Sequence, residues 1–241
     1  MENSSIKLTV HPLPPIIIGL ALIICALVVR STVLEVKGYG RAIQVTGSAV
    51  KPISSDFAIW EATIQATSID LASGYAKVKR DLEMLKTFMK ENGFTDSQYE
   101  IGPVQVNRSY DREGKPTQFM LSQPVKLQLA DVPRITELGK KASVLVEKGV
   151  ELGMQNIRYT YSKLEDIKIE MIRAATENAK LRAVQLAGTS GKKVGAPTSA
   201  RVGVFQIRPV HSQEVSDYGM NDVTSIEKEI VCTVNIGFLV E

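Results

Sequence analysis

The chain has 241 residues, of which 44% are hydrophobic, 23% charged and 6% aromatic. These proportions are close to the globular average, so they exclude collagen-like, low-complexity and wholly disordered chains. The net charge of +3 and its even spread argue against a nucleic-acid partner, and two cysteines are too few for a disulfide-rich scaffold. The sequence contains no recognisable catalytic motif, and we expect no cofactor.

An almost unbroken apolar run occupies residues 13–29, with no charged residue between Lys7 and Arg30. As a helix the run would rise by about 25 Å, close to the shortest span that crosses a bilayer. The alternative is a cleaved signal peptide, but the small-x-small cleavage site is missing, which favours an uncleaved transmembrane anchor. The prediction divides the chain into a tail (1–12), the anchor (13–29), a linker (30–41) and a domain (42–241).

The domain begins with a pattern that predicts two strands and a helix. Residues 42–50 form the first strand, and residues 57–68 alternate between apolar and polar side chains, as a half-buried antiparallel strand does. Asp70 is placed to cap the helix and Gly93 to end it. The predicted buried stripe has steps of three and four residues: Leu71, Tyr75, Val78, Leu82, Leu85 and Met89.

The same strand–strand–helix order then recurs, which indicates a structural duplication. The strands are predicted at residues 99–109 and 119–129, with a turn at residues 110–116. Asp131 is placed to cap the second helix and Gly149 to end it. The buried stripe of this helix is predicted to be Ile135, Leu138, Ala142, Leu145 and Val146.

The last part of the chain has a different order. A strand at residues 156–161 leads to Ser162 and Glu165, which match a capping box at the start of a long helix ending near Gly188. The remaining segments are predicted as extended chain at 192–207, a polar loop at 208–227 and a closing strand at 229–240. The sum is an α+β fold in which helices cover one face of an antiparallel sheet.

Two stretches of this sequence resemble the SIMPL domain family, which includes periplasmic immunogenic proteins of bacteria. The first is the opening hairpin, with Ile43-x-Val45-x-Gly47, Pro52 and Asp56. The second is an alanine ladder followed by spaced glycines: Ala175, Ala179, Ala183, Leu186-Ala187, Gly191 and Gly195. The resemblance covers residues 42–240 and rests on the order and spacing of these motifs together.

The resemblance implies a non-enzymatic domain on the outer, periplasmic side of the bacterial inner membrane. Some relatives resemble ring-forming, channel-like oligomers and others are linked to oxidative-stress tolerance. The expected function is therefore a self-assembling scaffold or channel-like oligomer in envelope or oxidative-stress tolerance. The positive-inside rule favours the opposite orientation, because Lys7 precedes the run while Arg30, Lys37 and Arg41 follow it. We adopt the orientation of the family and predict a single-pass protein.

The alanine ladder permits another backbone to approach closely, either the protein's own sheet or a second subunit. Ala175, Ala179 and Ala183 are therefore candidate oligomer contacts. Ile236 is a further candidate, because the closing strand lacks the charges and prolines that protect an exposed sheet edge. These residues predict a homo-oligomer.

The polar loop at residues 208–227 supports an alternative function, a monomeric adaptor that binds a protein partner. His211, Glu214 and Asp217 are its candidate contacts. A hydrolase is a third and weaker alternative, since His211 is the only histidine of the domain and no nucleophile motif accompanies it. No metal site is predicted, because the other histidine, His11, lies on the far side of the anchor.

Overall fold

The computed structural model describes residues 13–39 and 42–241. The predicted tail at 1–12, which contains His11, and the last two residues of the predicted linker lie outside the described residues. The chain divides into two compact units. The first unit consists of the described residues up to Ser48 together with Ala174–Gly203 and Thr233–Glu241, and the second of Ala49–Arg173 and Val204–Cys232.

Helices and strands both make up large parts of the chain, so the predicted α+β class is confirmed. The helices are α1 (Leu13–Tyr39), α2 (Leu71–Glu91), α3 (Val132–Lys141), α4 (Ser143–Glu147) and α5 (Leu164–Thr189). The strands are β1 (Ala42–Ser54), β2 (Phe57–Ser68), β3 (Tyr99–Ile101), β4 (Gln105–Tyr110), β5 (Pro116–Leu129), β6 (Leu152–Thr160), β7 (Val194–Val202), β8 (Gln206–Pro209), β9 (Met220–Asn221) and β10 (Glu227–Val240).

Helix α1 continues beyond residue 29, through the part of the predicted linker that is described. The hydroxyls of Ser31 and Thr32 donate to the carbonyl oxygen of Val28, as side chains do inside a continuing helix. Several of its large apolar side chains are more than half exposed: Leu20, Leu22, Ile23, Ile24, Leu27, Val28 and Val29. Among the described residues, no helix has the combination of length and apolar character that crossing a membrane requires.

The prediction of a single sheet is wrong, because the strands form two sheets. One has the order β3-β5-β2-β6, with β4 also paired to β5. In the other, β1 and β8 flank β10, β9 follows β8, and β7 also pairs with β10. The edges of β2 are taken by β5 and β6, which leaves no place beside it for β1 or β10.

The alternating pattern of β2 correctly predicts which of its faces is covered. Ala58, Trp60, Ala62, Ile64 and Ala66 are each at most 2% exposed. They belong to the hydrophobic core of the second unit, to which α2 and α3 also contribute their buried faces. The period of two therefore identifies the core side of this strand.

Helix α2 is capped as predicted, but its buried stripe begins at Gly74 instead of Leu71. The Asp70 carboxylate accepts hydrogen bonds from the N–H and the hydroxyl of Ser73, at 2.8 and 2.7 Å. Gly74 is the first buried residue, and a Cβ there would lie 2.6 Å from Cδ1 of Leu121. Because the helix approaches the sheet through Gly74, Tyr75 turns outward and is 54% exposed, and Leu71 is 37% exposed.

The second copy of the predicted repeat is interrupted in two places. The strand predicted at residues 99–109 is divided into β3 and β4, and between them the N–H of Gly102 donates to the carbonyl oxygen of Pro124. The helix capped by Asp131 breaks at Ala142 into α3 and α4. This break shifts the helical phase, so Val146 is 55% exposed instead of buried.

The predicted capping box at the start of α5 is wrong. The N–H and hydroxyl of Ser162 both donate to the Asp56 carboxylate, at 2.7 and 2.6 Å. Glu165 forms an ion pair with Lys168 instead of returning to the helix start. A carboxylate on the β1–β2 turn therefore takes the groups that the capping box would use, and α5 begins at Leu164.

Candidate functional site

The alanine ladder of α5 packs inside the first unit, against β1. Ala175, Ala179 and Ala183 are all 0% exposed. A Cβ on Gly47 of β1 would lie 2.1 Å from the carbonyl oxygen of Ala175 and 2.5 Å from the amide nitrogen of Ala179. The prediction that these alanines contact another subunit is therefore corrected, because their face of the helix is already covered by the protein's own strand.

Two polar side chains of α5 also bind the backbone of β1. The Asn178 side-chain oxygen accepts a hydrogen bond from the N–H of Ser48 at 3.1 Å. The Arg182 guanidinium donates to the carbonyl oxygen of Thr46 at 2.9 Å. Since β1 is the last strand in its sheet order, these side chains occupy hydrogen-bonding groups that an incoming strand would need.

The other candidate oligomer contact, Ile236, is also buried, with 4% exposure. It lies on β10 opposite Ala200 of β7. Strand β10 also pairs with β1, so it has neighbours in addition to β7. The closing strand is therefore an interior strand, which explains why it lacks the charges and prolines of an exposed edge. The contact predicted at Ile236 is corrected for this reason.

A groove lies on the flank of α5 in the first unit, with a volume of about 720 Å³. Three lysines line it: Lys180 on α5, and Lys192 and Lys193, which are consecutive in the chain. We call this space the lysine groove. Ile236 and Phe238 of β10 also line it, and both are at most 6% exposed. The site therefore has basic side chains at its exposed part and an apolar floor.

The groove remains open because the residues facing it on β7 are small. Phe238 lies opposite Pro197, and Ile236 opposite Ala200, in the register of β7 and β10. Gly195 on β7 and Gly188 on α5 also line the space. Side chains of this size do not fill the volume between the flank of the helix and the edge of the sheet. The sequence patterns did not predict this site, although its small residues Gly188, Gly195, Pro197 and Ala200 lie within 13 positions of one another.

The loop at residues 208–227 lies in the second unit and is held by side chains at its base. The Gln206 amide donates to the carbonyl oxygen of Ser216 at 2.7 Å and accepts from the N–H of the same residue at 3.2 Å. Arg208 donates to the carbonyl oxygen of Glu214 and forms an ion pair with the largely buried Glu229 at 2.7 Å. These bonds fix the loop against β8.

The three residues predicted as contacts on this loop are exposed but do not form a cluster. Within the described residues, no hydrogen bond or ion pair joins the side chains of His211, Glu214 and Asp217. His211 has a φ of 68°, an uncommon value for a residue with a side chain. The loop instead presents two apolar side chains that our prediction missed, Tyr218 at 97% and Val215 at 73% exposure.

A buried lysine stands near the end of the same loop. Lys228 is 2% exposed, and its ammonium donates to the carbonyl oxygen of Tyr159 at 2.7 Å and to that of Asp222. Burial lowers the pKa of Lys228, and the charge of Asp222 opposes this shift. Because the ammonium is enclosed and donates to two carbonyl oxygens, its position points to a structural role rather than to a nucleophile.

In the part of the chain that the structure describes, no group of three His, Cys, Asp or Glu side chains is arranged to hold a metal ion. Cys232 is 0% exposed on β10, and burial raises the pKa of its thiol. A buried thiol with a raised pKa has a low thiolate fraction and is a poor nucleophile.

Comparison with known proteins identifies a family match and several weak structural similarities. The family model described as "SIMPL: Protein of unknown function (DUF541)" matches residues 43–238. The search of curated proteins finds no match. The de novo designed protein Foldit4 shares 17% identity over 44% of this chain and 98% of its own, with a TM-score of 0.24.

Two natural proteins of known structure show similarities of the same low order. A protein described as an amidohydrolase/peptidase from Burkholderia cenocepacia shares 11% identity over 48% of this chain and 29% of its own, with a TM-score of 0.19. A hydrolase from Listeria innocua shares 9% identity over 80% of this chain and 91% of its own, with a TM-score of 0.22. Similarities this low carry no argument about activity.

Proposed function

We propose that this chain, which belongs to the SIMPL family, is a non-enzymatic, membrane-anchored envelope protein that binds a protein partner through the loop at residues 208–227. The family is one of unknown function, so the proposal is based on the exposed surface of this chain. The observation that carries it is the position of Tyr218, which is 97% exposed on a loop fixed by Gln206 and Arg208.

The proposed anchor of a single-pass protein in the bacterial inner membrane is the apolar run at residues 13–29. This part of the proposal rests on the uncharged run in the sequence, since the described part of α1 does not by itself qualify as a membrane span. The exposed apolar side chains of α1 support it, because each large one left in water forgoes about 1.5–3 kcal/mol of burial energy. We place residues 42–241 on the periplasmic side. A reporter that is active only in the cytoplasm, fused after Glu241, tests this orientation, and its activity would refute it.

The exposed loop has the physical properties of a contact surface. Aromatic side chains are frequent binding hot spots because they bury a large area with few rotatable bonds. The bonds from Gln206 and Arg208 restrict the loop before binding, which reduces the entropy lost on association. Glu214 and Asp217 add negative charge, so we expect an apolar pocket bordered by Lys or Arg on the partner.

Crosslinking in living cells tests the partner. A photoreactive phenylalanine at position 218 is expected to give one discrete adduct of higher mass, because this side chain lies in the proposed contact. The same amino acid at position 75 is the control, since Tyr75 is 54% exposed outside the loop. Val215→Asp should abolish the adduct at position 218, and an adduct that survives this change would refute the loop contact.

Self-assembly into a scaffold or channel-like oligomer is a second candidate function, favoured by exposed aliphatic side chains on α5. Leu181 is 66% and Leu186 54% exposed, and both border a cavity of about 550 Å³ with Gln44, Val45 and Thr46. Light scattering of the detergent-solubilised chain would detect the oligomer. Leu181→Glu should dissociate it, whereas Ile169→Glu, at a residue of the same helix with the same 66% exposure, should not.

A role in envelope or oxidative-stress tolerance remains a prediction from the family resemblance. Cells that lack the protein are expected to survive peroxide treatment less well than cells that contain it. Complementation with Tyr218→Ala would link this phenotype to the loop, and complementation with Leu181→Glu would link it to self-assembly. Full complementation by both variants would separate the phenotype from both proposed functions.

A further inference from the structure

We propose that the lysine groove binds a single amphipathic anion, an aliphatic chain that ends in a carboxylate. This site lies in the first unit, and the proposal goes beyond the function assigned to the loop and does not depend on it. Three properties of the groove support this ligand: its positive charge, its apolar floor, and the proline and irregular register of β7 beside it.

The charge of the groove differs from that of the chain. Twelve residues line it, and they include three lysines and no acidic residue. The whole chain is nearly balanced, with 29 basic and 26 acidic residues. Among the described residues, none of Lys180, Lys192 and Lys193 forms an ion pair. An anionic ligand head group would supply the missing negative charge.

The carboxylate of Glu241 lies near the groove and limits where the head group of the ligand binds. A Cβ on Gly195 would lie 3.0 Å from the carboxylate oxygen Oε1 of Glu241, so this carboxylate is close to one part of the lining. The backbones of Lys193 and Glu241 are also joined by two hydrogen bonds. We therefore place the ligand carboxylate nearer Lys180 and Lys192 than Gly195, where repulsion by Glu241 is weakest.

The apolar floor of the groove accounts for the aliphatic chain of the ligand. Ile236 and Phe238 are buried in the sheet, and Val184 on the helix is 48% exposed beside them. The volume of about 720 Å³ lies in the range of about 300–1,000 Å³ that is typical of sites for small molecules. A flexible aliphatic chain can adapt to a space between a helix and a sheet, and burying it releases water from the apolar surfaces of both.

The form of β7 argues against an extended peptide as the occupant. A peptide that added to this edge would need regularly spaced N–H donors, but Pro197 has none. The register of β7 against β10 also shifts between Gly237 and Phe238 and again between Phe238 and Val240. Both features are devices that prevent strand addition, so we favour a chain that needs no backbone hydrogen bonds.

Photoaffinity labelling of the full-length chain in nanodiscs of zwitterionic phosphatidylcholine tests the proposal with dodecanoate that carries a diazirine on its chain. Labelled peptides are expected to come from residues 176–200 and 236–238. Excess dodecanoate should compete, whereas dodecanol, which lacks the charge, should compete at least about tenfold less well. Labelling confined to residues 13–29 would refute the proposal, as would equal competition by dodecanol. Competition by an acidic peptide but not by dodecanoate would replace the proposed ligand with a peptide.

Matched variants separate the groove from other apolar surfaces. Ala200→Trp should abolish labelling of the groove, because the indole occupies the space opposite Ile236. Arg201→Trp is its control, since successive side chains of a strand point to opposite faces. Changing Lys180, Lys192 and Lys193 together to Glu should weaken competition by dodecanoate about tenfold, while the same change at the exposed Lys79, Lys141 and Lys163 should leave it unaltered. Labelling that persists in Ala200→Trp with an intact circular dichroism spectrum would refute the site.

Discussion

Gly47 on β1 and Ala175 on α5 are placed so closely that a Cβ on the glycine would lie 2.1 Å from the alanine carbonyl oxygen. Ala179 lies beside the same point, with its amide nitrogen 2.5 Å and its Cβ 2.6 Å from that position. Two of these three atoms belong to the helix backbone, which cannot move aside as a side chain can. The closeness of α5 to β1 therefore depends on a glycine at position 47.

We predict that Gly47→Ala destabilises the protein by at least about 2 kcal/mol, because the added methyl group displaces the helix backbone. Gly188→Ala on α5 is the control, since nothing lies within 4 Å of a Cβ there. That change should be neutral or stabilising by up to about 1 kcal/mol. Urea unfolding followed by circular dichroism measures both variants, and equal stability of Gly47→Ala and the wild type would contradict the packing.

Tyr99 provides a prediction about alkaline pH. Burial and the hydrogen bond from its hydroxyl to Asp96 raise the pKa of Tyr99 to about 12. Because the folded-state pKa is above the unfolded value of 10.0, the stabilisation is complete below pH 10 and is lost as the pH rises through 12. Ultraviolet titration of the wild type minus Tyr99→Phe should show one phenol ionising at about 12.

The same titration of Asp96→Asn tests whether burial raises the pKa of Tyr99 more than the hydrogen bond to Asp96 does. Burial is the larger cause and remains in this variant, so most of the shift should persist. A return of the Tyr99 pKa to its ordinary value would show that the carboxylate, rather than burial, controls the phenol.

Lys228 provides a second prediction about stability. Lys228→Met removes the donor to the carbonyl oxygens of Tyr159 and Asp222, and we expect a loss of about 2–4 kcal/mol. Since burial lowers the lysine pKa below 10.5, the unfolded chain binds the proton more tightly. The wild type should therefore gain stability as pH rises through the folded-state pKa towards 10.5.

Denaturant unfolding at several pH values measures the contribution of Lys228. Lys228→Met should lack the gain in stability with pH, whereas Lys163→Met, at an exposed lysine, should keep it. An unchanged pH dependence in Lys228→Met would assign the gain to another group.

The loop at residues 208–227 can be tested without knowing its partner. Gln206→Leu removes both hydrogen bonds to the backbone of Ser216, so amide hydrogen exchange at residues 214–218 should accelerate. Crosslinking from position 218 should weaken in the same variant, because a looser loop loses more entropy on binding. Faster exchange with undiminished crosslinking would show that loop rigidity does not contribute to binding.

Local patterns in the sequence predict the elements whose causes are local. The alternation in β2 and the caps at Asp70 and Asp131 depend on residues that are near one another in the chain. The start of α5 does not, because Asp56 takes the groups of Ser162 from 106 positions away. A capping motif cannot reveal a competitor at that distance.

The candidate oligomer contacts also combine a local pattern, which the sequence reveals, with a distant partner, which it does not. The spacing of Ala175, Ala179 and Ala183 correctly indicates a close approach of another backbone, but it does not identify that backbone. Gly47 was visible as a motif residue, yet its relation to the alanines is a property of the folded chain. Tyr218 could have been singled out because it is the only Phe, Tyr or Trp in the sequence of this loop, between Asp217 and Gly219.

The pairing of β1 with β10 has a consequence for the newly synthesised protein. Thr46 and Asn235, whose side chains are hydrogen-bonded, are 189 residues apart in the chain. At a ribosomal rate of about 5–20 residues per second, β1 has been made for roughly 10–40 s before its neighbour exists. During that time its pairing edge is available to other nascent chains, so a holdase chaperone that shields residues 42–54 should raise the yield of folded protein.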